Sequence, residues 1–293
     1  MKKIATLIIL SILIILSTAF IVGADFWESS PEYLELETED HSIVEEYDAA
    51  AIEPEPTPEL PTPAPTPSKI AYLTFDDGPS ATITPQILDI LKEHNIRATF
   101  FVLPRSGVDH IFERIIAEGH ALGNHSFTHN FSRLYANDGG AFFRDDTIRM
   151  HEFLYDNFGY RTNIYRFPGG SMSWSRAAID IRRNILEELG YVDFDWHVSS
   201  ADTCSSPAGR DPRALSGNIV NNANGRERLI VLMHDVSNEA VVAALPMIIE
   251  GLKEQGYGFG VLRNENAHLA HQKAIAETAA LMGWVVMVNL WGI

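Results

Sequence analysis

The 293-residue sequence holds one cysteine, Cys204, so no intrachain disulfide can staple the fold. Stability must come from a packed core, which a chain of this length builds as one large domain or two ordinary ones. Positive charge is also scarce: 22 Lys and Arg stand against 39 Asp and Glu, a formal net charge of -17. Such a surface repels phosphate backbones and anionic lipid, which argues against nucleic acid as a partner. The shortage is concentrated. Residues 25–68 contain no Lys or Arg and thirteen Asp or Glu. They end in EPEPTPELPTPAPTPS, residues 53–68, where proline is dense enough to block helix and sheet and to favour an extended polyproline conformation. Residues 25–68 therefore read as an acidic, Pro-rich extracytoplasmic stalk.

Charge is absent altogether from Ile4 to Val22, which follow Met1-Lys2-Lys3. At about 1.5 Å per residue the run matches a hydrocarbon core of roughly 30 Å. The lysines would stay cytoplasmic and send the rest outward. Val22-Gly23-Ala24 also offers small residues where a signal peptidase would cut. Residues 1–24 thus read as a signal anchor or a signal peptide. Either places the remainder outside the cytoplasm, anchored to the cell membrane or secreted. The anchor reading makes the membrane a partner through the N-terminal segment.

Folding is expected to begin at Lys69. Residues 70–75 are mostly apolar and read as a buried strand, and Thr84-Pro85 opens a helix with Thr84 as its cap. Further strands are expected at 97–103, 121–124, 164–167, 191–196, 229–233 and 257–262, with helices between most of them. That alternation predicts a parallel α/β sheet, as a (β/α) barrel of about seven units or an open doubly wound sheet. In both, the carboxyl ends of the strands carry the chemistry.

Polar groups recur at that edge. TFDDGP, residues 74–79, ends the first strand with two adjacent carboxylates that repel each other unless a cation or proton is shared. HSFTH, residues 125–129, sets two imidazoles four apart, where a helical turn would point them the same way. The HExxH pattern of zinc metalloproteases is missing, because Ser126 follows His125. A third ligand can come from the Asp76-Asp77 pair. Two histidines and one aspartate leave coordination positions open, as catalysis requires. One carboxylate would then bind the cation and the other take a proton from the attacking water. Arg166 adds a fixed positive charge that can orient the free carboxylate, and His234 ends LIVLMH as a candidate acid.

TFDDGP, HSFTH, RFPGG (residues 166–170) and VLMHD (residues 231–235) together resemble the motifs of the NodB-like polysaccharide deacetylases, carbohydrate esterase family 4. The resemblance covers 69–262. It implies a distorted (β/α) barrel, the NodB homology domain, that removes acetyl groups from sugars with one divalent metal, usually Zn2+, with Co2+, Ni2+ or Mn2+ as alternatives. It implies Asp76 as general base, Asp77, His125 and His129 as metal ligands, Arg166 as the residue orienting Asp76, and His234 as general acid. Leu232 would line the acetyl pocket, the Gly169 N–H would help bind the oxyanion, and Trp196 could wall the groove.

Two departures stand out. Gly169 lacks a side chain that the family often has, so the substrate wall is expected to be more open. The fourth motif fits in two registers. Asp195-Trp196 can supply it, or HVSSADT, residues 197–203, in which Ser199 replaces the aspartate that tunes the histidine, Thr203 replaces a tryptophan and Asp202 is retained. The expected substrate is a cell-wall polysaccharide, N-acetylglucosamine of peptidoglycan first. Chitin oligosaccharide, exopolysaccharide and acetylxylan are alternatives, and a catalytically silent carbohydrate-binding or scaffold protein is an alternative of another class. The chain is expected to be a monomer. Residues 263–293 carry an Ala-rich helical stretch and the apolar WVVMVNLW, read as packing on the barrel.

Overall fold

The structure is a computed structural model and describes residues 67–266. Its first strand, β1 (Lys69–Asp76), shows how the sequence sets the architecture. Successive side chains on a strand point to opposite faces. Ala71, Leu73 and Phe75 join the large core packed against the helices. Tyr72 joins a second cluster with Phe101, Ile164, Phe194, Ile230 and Leu262, drawn from several strands and their ends. That cluster is the filling inside a curled sheet. Both faces of β1 are buried, so its sequence reads as a nearly continuous apolar run.

The other strands are β2 (Thr99–Val102), β3 (Ala121–Asn124), β4 (Ile164–Tyr165), β5 (Val192–Asp193), β6 (Val198–Ser199), β7 (Arg228–His234) and β8 (Tyr257–Gly260). Every pairing is parallel, in the order β5-β4-β3-β2-β1-β7-β6. β8 pairs with Lys69–Tyr72 of β1, while Thr74–Asp76 pair with β2. Leu262, just after β8, donates its N–H to Thr99 Oγ1 at 2.9 Å. Among the described residues no pairing closes β5 onto β6. The result is the expected distorted barrel, open on one side.

Among the described residues there are seven α-helices: α1 (Ile83–Glu93), α2 (Asp109–Ala117), α3 (Phe131–Leu134), α4 (Ala141–Phe158), α5 (Arg176–Glu188), α6 (Pro212–Val220) and α7 (Glu239–Glu254). α1 buries Ile87, Leu88 and Leu91 on one side, as its spacing predicts. Its start differs from expectation. Ser80 Oγ, not Thr84, accepts the first free N–H groups, from Ile83 and Thr84. Thr84 is buried and donates to Asp235 Oδ2 at 2.6 Å.

The strand expected at 191–196 is also shorter. Only Val192–Asp193 pair, and the chain resumes at β6, which the sequence pattern did not reveal. The buried Arg166 guanidinium takes the carbonyls of Phe194 (2.9 Å) and Asp195 (3.3 Å), which removes them from any ladder.

Membrane association through the N-terminal segment is withdrawn as an expectation. No helix among the described residues is long and apolar enough to cross a membrane, and residues 1–24 lie outside them. The expectations for 25–66 and for the tail at 267–293 also fall outside the described residues.

Candidate active site

The site lies where β1, β3, β4 and β7 end. Asp76 is the last residue of β1, on the inward face, and is 3% exposed. A buried carboxylate needs a partner. Arg166 Nη1 donates to Asp76 Oδ1 at 2.8 Å and to Thr74 Oγ1 at 2.6 Å. Thr74 in turn donates to the Val231 carbonyl at 2.6 Å. Four hydrogen bonds and the Phe101 ring, 4.1 Å from the guanidinium carbon to the centroid, hold Arg166 fully buried. Asp76 is therefore held in one orientation by a fixed charge.

Asp77 leaves the strand with φ +72°, in the left-handed region that costs a non-glycine residue about 1–2 kcal/mol. The turn breaks the strand alternation, so the adjacent carboxylates meet different partners. Gly78 is required beside it: a Cβ there would lie 2.2 Å from the Asp235 carboxylate.

His125 and His129 meet by a different route from the expected helical turn. Residues 125–130 form a loop, with Ser126 at φ +75° and His129 at φ +50°. Hydrogen bonds to three buried side chains hold it. Asn124 Oδ1 accepts from Ser126 N (2.9 Å), and Ser126 Oγ accepts from His129 N (2.8 Å). The Asp146 carboxylate accepts from Phe127 N (2.7 Å), Thr128 N (3.0 Å) and Thr128 Oγ1 (2.6 Å). Asp146 and Asn124 were not singled out from sequence. Their only signal was a polar residue at a position that the pattern buries.

His125 Nδ1 lies 2.8 Å from the Arg166 carbonyl, which can only accept. Nδ1 therefore carries the proton, and in the neutral ring Nε2 is left as a donor of electron pairs. It faces Asp77 Oδ1 at 3.4 Å, and His129 Nε2 faces the same oxygen at 3.2 Å. One ligand atom from each of Asp77, His125 and His129 lies within 4.8 Å of the others. Asp77 Oδ1 is buried with no hydrogen-bond partner. A divalent cation would satisfy that oxygen and both imidazoles at once, and two nitrogens with one carboxylate form a donor set suited to zinc. Burial raises the pKa of Asp77, but its two imidazole neighbours outweigh this and hold the carboxyl well below the usual range.

His234 ends β7 on the inward face and is the direct register partner of Asp76. Asp202 accepts from His234 N at 2.8 Å through Oδ2, and its Oδ1 lies 3.0 Å from Nδ1. Burial lowers the pKa of the imidazole, yet the hydrogen bond and charge of Asp202, with Asp76 and Asp77 behind, push it up to about 9. This corrects the reading in which Ser199 stands for a lost tuning aspartate. Ser199 lies on β6, and its Oγ accepts from Ala201 N at 3.1 Å in a local turn. Asp202 holds the histidine.

Asp195 does other work, binding Ser171 N at 2.9 Å and the Ser171 hydroxyl through a short contact. It thereby pins the loop that carries Gly169. Trp196 packs on the same loop, its ring 2.6 Å from where a Cβ of Gly170 would be. Leu232 is buried on β7. The open wall expected at Gly169 is filled. With φ +76°, a Cβ at Gly169 would come within 2.9 Å of the Phe131 ring, which also meets the His129 ring edge-on at 5.0 Å. Asp77, His129, Asp202 and His234 line a cleft of about 320 Å³, with Arg105 and Arg210 on its wall.

Comparison with known proteins agrees with this geometry. The family model for polysaccharide deacetylase matches residues 64–192. YheN of Bacillus subtilis is 38% identical over 209 residues, 70% of this chain and 71% of the relative. A peptidoglycan-N-acetylglucosamine deacetylase of Bacillus cereus is 36% identical over 203 residues, 68% of this chain and 71% of the relative. The structure of a Streptococcus mutans CE4 esterase superposes with a TM-score of 0.61 at 33% identity, covering 67% of this chain and 87% of that one. With four motifs gathered at one end of the barrel and relatives of this identity, the chain belongs to the polysaccharide deacetylase family, carbohydrate esterase family 4.

Proposed function

We propose that this protein is a metal-dependent hydrolase that removes N-acetyl groups from N-acetylglucosamine of peptidoglycan. The observation that carries the reaction is the pairing of Asp76 with His234 across β1 and β7, beside the Asp77–His125–His129 cluster. The Bacillus cereus relative supports the choice of sugar. Asp77, His125 and His129 would hold a divalent metal, which would supply Lewis acidity and favour ionisation of water.

The chain's own residues do the rest. Asp76, oriented by Arg166, accepts a proton from water as the water oxygen bonds to the carbonyl carbon. Among the described residues the Gly169 N–H has no hydrogen-bond acceptor, which leaves it available to the developing oxyanion. His234, protonated because Asp202 stands behind it, gives its proton to the departing amine as the C–N bond breaks. Leu232 offers an apolar surface to the acetyl methyl group, and Trp196 bounds the groove.

In this reading residues 69–262 are the catalytic unit, 1–24 an export signal, 25–68 an acidic spacer and 263–293 an accessory tail. The family's polymeric substrates accord with an extracytoplasmic location. The test is acetate release from purified peptidoglycan and from chitin oligomers, after chelation and zinc restoration. Metal-dependent release from peptidoglycan is expected, and Asp76→Asn should lower it about 10²-fold or more with zinc still bound. Wild-type turnover in that variant would remove Asp76 as the base. Release from chitin oligomers alone would move the substrate to the alternative class.

A further inference from the structure

Two cations on the cleft wall are unused by this chemistry. Arg105 follows β2, and Arg210 ends the short turn Pro207–Arg210 after β6. The strand order β2-β1-β7-β6 puts them on opposite flanks of the β1–β7 pair that carries Asp76 and His234. Both are exposed, and both line the cleft with His129 and His234. Among the described residues neither has a carboxylate partner. Arg105 makes one hydrogen bond, to the Asp77 carbonyl at 3.0 Å, and the Arg210 side chain makes none. The acids nearby are committed, Asp202 to His234 and Asp77 to the imidazole pair.

Thirteen of the 39 acidic residues lie in residues 25–68, so the folded part is closer to charge balance, and two unpartnered guanidinium groups facing one cleft add positive charge to it locally. A guanidinium is shaped to take a carboxylate through paired N–H donors. We propose that Arg105 and Arg210 form anion subsites on either side of the reacting sugar, taking carboxylates carried by the neighbouring residues of the glycan. This rests on the deacetylase reading and sharpens it. The substrate is a strand in which the acetamido sugar is flanked by acidic units, rather than a neutral homopolymer. The carboxylate can be the lactyl group of the adjacent sugar or belong to a peptide attached there.

The test compares three substrates: neutral N-acetylglucosamine oligomers, peptide-stripped glycan with free lactyl carboxylates, and glycan with its peptides in place. The zinc-loaded protein is assayed as wild type, Arg210→Ala, Arg210→Lys and Arg105→Lys. Arg105→Lys keeps a donor for the Asp77 carbonyl. The acidic-to-neutral ratio of kcat/KM should fall about fivefold in Arg210→Ala, as expected for one exposed charge pair, and recover partly in Arg210→Lys. It should fall two- to threefold, roughly, in Arg105→Lys, and in wild type it should fall as salt rises. Loss confined to the stripped glycan identifies the lactyl carboxylate, and loss confined to the intact glycan identifies the peptide. An unchanged ratio, or equal loss on neutral and acidic substrates, overturns the proposal. Calorimetric binding of the same glycans separates this from failure of the deacetylase reading. If wild type releases no acetate from any of them, weaker binding of acidic glycan by Arg210→Ala still supports the subsites. Equal binding removes them.

Discussion

Asp76 and His234 face each other as register partners on adjacent parallel strands, each the last residue of its strand and each on the inward face. They are fixed from opposite sides. Arg166 grips Asp76 from the β4 end, and Asp202 grips His234 from the loop after β6. A proton acceptor and a proton donor are thus held apart by one strand spacing, with different charges behind them. The Asp202 carboxylate behind His234 favours its protonated form, and the Arg166 guanidinium fixes the orientation of Asp76 as an acceptor.

Asp202 is the test of that division. His234 is pushed up to about 9, first against the effect of burial and then by Asp202. Its acid form is therefore present below that pH and lost above it. In Asp202→Asn the supporting charge is gone and the effect of burial is less opposed. The alkaline limb of the kcat/KM profile should move down by about one to two pH units, and activity at pH 9 should fall about five- to fiftyfold. A limb that stays in place would mean that another group sets it.

Asp146 never touches the reacting centre, yet it accepts three hydrogen bonds from the loop between the two histidines. Asp146→Ala should release that loop from its left-handed turns. Zinc affinity should drop about 10- to 100-fold, as it does when an outer support of a metal site is lost. Zinc titration against a competing chelator measures it. Stability should also fall by about 1–3 kcal/mol, because the loop amides lose a buried acceptor. Unaltered zinc affinity would assign Asp146 to the fold alone.

How much of this was legible follows from what each residue answers to. Asp76 and His234 obey strand periodicity, and the parallel rhythm alone puts them at one edge. The metal cluster was legible as composition but not as geometry. His125 and His129 read as a helical pair by spacing, and instead a loop joins them, bent by Ser126 and His129 and held by Asp146, seventeen residues beyond His129. The fourth motif was ambiguous for the same reason. Which of Asp195, Ser199 and Asp202 meets His234 depends on where β5 stops, and the carbonyl demand of Arg166 decides that. Long-range hydrogen bonds of this kind leave no periodic trace.

Gly169 and Phe131 make a steric pair that can be taken apart. Gly169→Ala should cost about 1–3 kcal/mol, from the left-handed backbone and from a Cβ placed 2.9 Å from the Phe131 ring. Acetate release should fall with it, since the Gly169 N–H moves. Phe131→Ala removes the second cause but not the first. The double variant should therefore recover part of the stability lost in Gly169→Ala, leaving a residue of about 1 kcal/mol. Strict additivity in denaturant unfolding would show that the ring does not confine the loop.

Asp235 gives stability a pH dependence of unusual sign for a carboxylate. Its side chain is buried, Thr84 Oγ1 donates to Oδ2 at 2.6 Å, and Oδ1 has no partner. Burial pushes its pKa up to about 7, partly opposed by the Thr84 hydrogen bond. The folded chain therefore holds a proton that the unfolded chain releases from about 3.8 upward. Stability from this group is full below that pH and falls as pH rises toward 7, by up to about 1.4 kcal/mol per unit. His120 acts in the opposite direction over part of the same range. Burial lowers its pKa to about 4, its Nδ1 accepts from Ala98 N, and stability is lost as pH falls below 6.5. A direct profile would mix the two. The difference between Asp235→Asn and wild type cancels the histidine. Urea unfolding should show the variant gaining on wild type by about 3 kcal/mol between pH 4.5 and pH 8. A difference that is flat across that range would show that Asp235 stays ionised in its buried place behind Gly78.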